Sequence, residues 1–137
     1  MTHITLQTYD KYYIKFPIEK AFKSNVIKQA FENENYNEIF YLNNKHCTKK
    51  YIEIIFDDFN IDNYNIKNII EIANYLDMND LFQYSSKKIM EIIQSCTCFQ
   101  DLKNKLNIDY IYNETELKKL EILFEHNKKI IHNINQI

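Results

Sequence analysis

At 137 residues, with 17 basic and 19 acidic side chains and a formal charge of −2, the chain has the length of one domain and no basic surplus to attract DNA or RNA. It contains no Gly, Arg or Trp, one Pro and one Val, against 23 Ile, 18 Asn and 11 Tyr. Without glycine there is no P-loop, no dinucleotide fingerprint and no G-x-S-x-G nucleophile elbow, and without arginine there is no bidentate fork onto phosphate or carboxylate.

Ile4, Leu6 and Thr8, then Tyr12, Ile14 and Phe16, alternate with polar neighbours around Tyr9-Asp10-Lys11. Period two on both sides of a short polar break predicts a β-hairpin with one buried face. Pro17 ends the second strand and suits the first turn of a helix. Ile18, Phe22, Ile27, Ala30 and Phe31 predict one helical stripe before Asn33-Glu34-Asn35. A strand over 39–42 follows, then a polar loop, then a helix carrying Tyr51, Ile52, Ile55, Phe56 and Phe59.

The clearest pattern is Ile66, Ile69, Ile70, Ala73 and Leu76, a helix with one apolar face, with Asn65 placed to cap it. Asp77 is placed to cap the next helix, which carries Leu81, Phe82, Ile89, Ile92 and Ile93. Thr97 and Gln100 have capping-box spacing ahead of Leu102, Leu106 and Ile108. Asn113 and Glu116 have the same spacing ahead of a last helix bearing Leu117, Leu120, Phe124, Ile131 and Ile134. Strands come first and helices after, which predicts an α+β fold whose small sheet is covered by helices.

The pattern of residues leaves little room for chemistry. His46-Cys47 and Cys96-x-Cys98 have poor spacing for a zinc site, and adjacent His46 does not face Cys47 in any regular element. Lysine pairs such as Lys87-Lys88 and Lys128-Lys129 sit among acids and read as solvated helix faces. Asp57-Asp58 diverge on a helix rather than share a proton. No catalytic residue, metal ligand or cofactor is expected, and neither nucleic acid nor membrane is an expected partner. Three cysteines, an odd number, fit a reduced intracellular chain, and no apolar run has signal-peptide or membrane-spanning length. The zeros in the composition follow from AT-rich codon usage, which would suit a giant virus or an AT-rich protist.

The run Ala73-Asn74-Tyr75-Leu76-Asp77, with Ile72 before it and Leu81, Lys87, Ile93, Thr97 and Leu106-Asn107-Ile108 after it, resembles the Skp family. These are adaptor subunits of SCF (Skp, cullin, F-box) ubiquitin ligases with a BTB/POZ fold. Ile4-Thr5-Leu6-Gln7 with Asp10 looks like the family's opening strand and turn, and Lys23-Ser24-Asn25-Val26-Ile27-Lys28 like its first helix. The resemblance covers roughly residues 3 to 121. Three features depart from it: the acidic insertion before the A-N-Y-L-D helix is missing, Asp80 stands where the family has glycine, and residues 124–137 do not match its tryptophan-containing tail.

The resemblance implies a BTB/POZ-like domain over 1–95 and an F-box-binding helical extension over 96–137. It implies a non-catalytic adaptor in the cytoplasm or nucleus (of a host cell, if the source is viral). Asn74 and Tyr75 would contact a cullin; Leu102, Leu106, Asn107, Ile108, Leu117 and Leu120 would contact an F-box protein. Two alternatives stand beside it: a self-associating BTB module, with a weak homodimer as its form, and a decoy that binds cullin and recruits no F-box protein.

Overall fold

The structure, a computed structural model, describes residues 2–58 and 65–135. Its class is α+β: a three-stranded sheet and, among the described residues, seven α-helices. Strands β1 (His3–Gln7) and β2 (Tyr13–Pro17) form the expected antiparallel hairpin, with Ile4 opposite Phe16 and Leu6 opposite Ile14. Ile4, Leu6 and Phe16 are buried, so the period-two pattern reports the core face directly. The hairpin turn is held by Thr8, whose hydroxyl donates to Asp10 Oδ1 at 2.6 Å and accepts from the Tyr12 N–H at 3.0 Å. Lys11 there has φ 72°, a left-handed residue in a chain with no glycine to take the position. Strand β3 (Ile39–Tyr41) joins the other edge of β1 in parallel, giving the order β2-β1-β3.

The crossover between β2 and β3 corrects one expectation. The stripe from Ile18 to Phe31 is two helices, α1 (Ile18–Ala21) and α2 (Asn25–Ala30). Ser24 divides them. It is fully buried, accepts from the Ile27 N–H at 3.2 Å as the N-cap of α2, and donates to the Leu76 carbonyl at 2.5 Å. A buried hydroxyl that serves one backbone group on each side restarts the helix where hydrophobic spacing alone would carry it through.

Helix α3 (Lys49–Glu53) runs into a π-helical turn over Ile54–Asp58. The wider turn accompanies burial of the neighbouring Ile55 and Phe56, and Phe56 packs its ring 5.1 Å from that of Phe16. Phe59, the last residue of the expected stripe, lies outside the described residues.

Helix α4 (Ile66–Tyr75) buries Ile66, Ile69, Ile72, Ala73 and Leu76 completely, at roughly 1.5–3 kcal/mol for each large side chain. Ile72 takes the core position assigned by spacing to Ile70, which is only half-buried. The helix closes in a Schellman motif: Met78 N–H donates to Ala73 O at 2.9 Å and Asp77 N–H to Asn74 O at 3.2 Å. Asp77, at φ 50°, is therefore the left-handed terminator of α4 and not the cap of α5 (Asn79–Ser95). On α5, Leu81, Ser85 and Ile92 are buried while Phe82, assigned to the core stripe, is 40% exposed.

Helix α6 (Phe99–Lys105) ends in a second Schellman motif, Ile108 N–H to Lys103 O at 3.0 Å and Asn107 N–H to Asn104 O at 3.2 Å, with Asn107 at φ 55°. Its start overturns the expected capping box. The Glu121 carboxylate of α7 (Glu114–Asn135) accepts from the N–H groups of Phe99 at 3.1 Å and Gln100 at 3.2 Å. A carboxylate brought by another helix meets the donors at the positive end of α6. The box at α7 forms as expected, with Glu116 N–H to Asn113 Oδ1 at 2.8 Å and Asn113 N–H to Glu116 Oε1 at 3.3 Å.

Contacts divide the described residues into two compact units, one from 2–58 and 68–84, the other from 65–67 and 85–135. The first holds the sheet and a continuous apolar core that runs from Ile4 to Leu81. In the second, Ile92, Cys96, Phe99, Leu106, Phe124 and Ile131 are buried.

Candidate functional site

Asn74 and Tyr75 occupy different environments at the end of α4. Asn74 is exposed. Tyr75 is partly buried against the apolar core, and its hydroxyl accepts from the Asn43 N–H at 3.2 Å. Two further polar contacts lie along that side of α4: Asn68 Nδ2 donates to Tyr51 Oη at 2.8 Å, and Glu71 pairs with His46 Nε2 at 2.5 Å. The spacing 68, 71, 75 is one helical line, spent on holding α4 to α3 and the 43–46 loop. Asn74 lies off it and makes no such tie.

In the C-terminal unit, the residues named for F-box recognition differ in exposure. Leu106 is buried; Leu102, Ile108, Leu117 and Leu120 are half-buried; Asn107 is exposed as the helix terminator. The apolar groups that face outward are others. Ile122 is 70% exposed and Leu123 53%, and Ile130 and Ile134 also face solvent, which takes Ile134 out of the inward stripe of Phe124 and Ile131. Tyr110 and Ile111 are exposed in the segment before α7. Tyr110 packs on Tyr112 at 4.6 Å and Tyr112 on Phe99 at 5.6 Å, which fixes that segment beside the start of α6. The signal for the outward stripe was in the sequence: Ile122 and Leu123 fall off the line of Leu117, Leu120, Phe124 and Ile131, so α7 carries more apolar residues than one face can bury.

The titratable groups are arranged for structure. Hydrogen bonding from the Thr8 hydroxyl, with further help from the Lys49 backbone N–H at 3.0 Å, holds the Asp10 carboxyl below its ordinary range. Burial pushes the Cys47 thiol up to about 12 and raises that of Cys96, so both stay protonated and unreactive at neutral pH. Among the described residues no three His, Cys, Asp or Glu side chains come together as a metal site, and no helix is long and apolar enough to cross a membrane.

No known protein-family model matches the chain, and no curated protein matches it either.

Proposed function

We propose that the chain is a non-catalytic adaptor of BTB/POZ-like fold that joins a cullin to an F-box substrate receptor in an SCF-like ubiquitin ligase, in the cytoplasm or nucleus. The observation that carries this reading is the run Ala73–Asp77. It has the Skp-like sequence, and in α4 it buries Ala73 and Leu76 while leaving Asn74 outward and without a structural task. The order of elements, a small sheet followed by helices, agrees with it. In this reading Asn74 makes the polar contact with cullin and Tyr75 shapes the edge beside it. The F-box protein sits on the outward stripe of α7, Ile122, Leu123, Ile130 and Ile134, together with the half-buried Leu102, Ile108, Leu117 and Leu120, while the buried Leu106 offers a partner little area.

The test is Leu123→Glu combined with Ile130→Glu. Both side chains are exposed, so melting should change little while F-box binding is lost and cullin binding kept. Loss of both partners, or of neither, would remove the assignment. A second reading is favoured by the same stripe: a self-associating module that pairs α7 with α7. Light scattering separates the two, since a stable dimer with no cullin affinity supports only the second.

A further inference from the structure

Helix α7 carries two lines of apolar residues. Phe124 and Ile131 are buried on the inward line. The second line runs Leu120, Leu123, Asn127, Ile130 and Ile134, in steps of 3, 4, 3 and 4, which is the a/d spacing of a coiled-coil seam. Leu120 is half-buried and the other four are exposed. The two flanks of this seam differ. One position later along the chain, Glu121, Phe124, Lys128 and Ile131 are half-buried or buried, so the C-terminal unit closes that side itself. One position earlier, Lys119, Ile122, His126, Lys129 and Asn133 are all exposed. Lys119 and Lys129 pair with no carboxylate among the described residues, and the four carboxylates of α7, Glu114, Glu116, Glu121 and Glu125, all lie off that line. A partner lying along the seam would meet apolar side chains, one amide, and cations along the single free edge.

We infer that the seam takes one amphipathic helix of a partner protein, with an acidic flank against Lys119 and Lys129 and an amide opposite Asn127. The inference deepens the adaptor reading and rests on its use of the α7 stripe as a partner face. Heptad spacing selects a helix, because apolar side chains in steps of 3 and 4 interlock with a second helix laid along them. The charge of the free edge selects the acidic flank. It also disfavours a second copy of the chain. An antiparallel copy would set the cationic edge against itself, and a parallel copy would offer it only Glu121, which already accepts from the Phe99 and Gln100 N–H groups. Asn127 selects against an anionic membrane surface, which would take water from its amide and return no hydrogen bond.

The probes are two designed helical peptides with the same Leu/Ile heptad seam and one central Asn, flanked by Glu in one and by Lys in the other. Each is titrated into the full chain by fluorescence anisotropy at 50 mM and 500 mM NaCl. The Glu-flanked peptide should bind at least roughly tenfold more tightly at the lower salt, with the gap narrowing at the higher. Lys119→Glu with Lys129→Glu, both at exposed positions, should reverse the preference at unchanged Tm. Replacing the peptide's Asn by Leu leaves the Asn127 amide unpaired and should weaken binding by roughly tenfold. The inference is overturned if the two peptides bind equally or not at all, or if the double variant keeps the original preference. It is overturned equally by a dimer of the chain that excludes both peptides, or by saturable binding to phosphatidylserine vesicles in place of either peptide. Such results beside F-box binding that Leu123→Glu with Ile130→Glu abolishes would remove this inference alone. The expected peptide results without cullin or F-box binding would remove the adaptor alone and keep the helix-binding seam.

Discussion

Four of the described residues carry backbone conformations that glycine would take without strain. Lys11, Glu34, Asp77 and Asn107 all have φ between 50° and 72° in a chain with no glycine. Asn and Asp bear this at the lowest cost, because their short side chains tolerate the left-handed region, and they are what terminates α4 and α6. Asn107→Gly should therefore stabilise the chain by about 0.5–1 kcal/mol, read as a rise in the urea midpoint at unchanged slope. A fall would mean that the Asn107 side chain makes a contact worth more than the strain. Ser24→Ala should act the other way, by about 1–2 kcal/mol, since it removes a cap and leaves the Leu76 carbonyl with only the longer bond from the Val26 N–H at 3.4 Å. Asp10 supplies a pH-dependent term. Its carboxyl is held lower when folded than when unfolded, so its stabilisation is present above about pH 4 and is lost as pH falls through the depressed folded value. Asp10→Asn should flatten that part of the acid unfolding limb and leave the neutral limb parallel to that of the unaltered chain.

At the scale of elements, the sequence was most legible where burial alone decides. Most of the expected faces of the hairpin and of α4 are buried, Ile4, Leu6 and Phe16 on the one and Ile66, Ile69, Ala73 and Leu76 on the other, while Tyr12, expected on the hairpin's buried face, is 52% exposed because it lies in the turn before β2. It was least legible where a polar group from elsewhere in the chain decides. Ser24 breaks a helix by bonding to Leu76, 52 positions on, and Glu121 caps α6 from 21 or 22 positions away. No local window contains both partners. The shift from Ile70 to Ile72 on α4 has the same origin, since both fit an apolar face within one residue and only packing selects between them. On the candidate surfaces, the exposed Asn74 was readable from its offset to the core line, whereas the tie between Tyr75 and Asn43 was not. At this scale the prediction is Glu121→Ala. With the N–H groups of Phe99 and Gln100 uncapped, α6 should lose about 1 kcal/mol, visible as faster amide hydrogen exchange through 99–105 with the hairpin unchanged. Equal acceleration in both would show that the cap acts on the whole chain and not on one helix.

For the molecule as a whole, the sequence offers no glycine loop and no arginine fork, and burial holds the Cys47 and Cys96 thiols protonated. The continuous apolar core includes residues of the sheet and of α4, and four of the five exposed Ile and Leu side chains among the described residues, Ile122, Leu123, Ile130 and Ile134, stand on α7. For the proposed recognition of a cullin through the end of α4, a clean variant exists. Tyr75→Lys would disturb the core edge, but Asn74 is exposed and unengaged, so Asn74→Lys tests the surface alone. The decisive measurement is calorimetric titration of the purified chain with the N-terminal helical region of a cullin, beside Asn74→Lys of unchanged Tm. The unaltered chain should form a 1:1 complex of micromolar affinity or tighter, weakened at least a hundredfold by Asn74→Lys. Absence of binding by the unaltered chain, or equal binding by the variant, would contradict it.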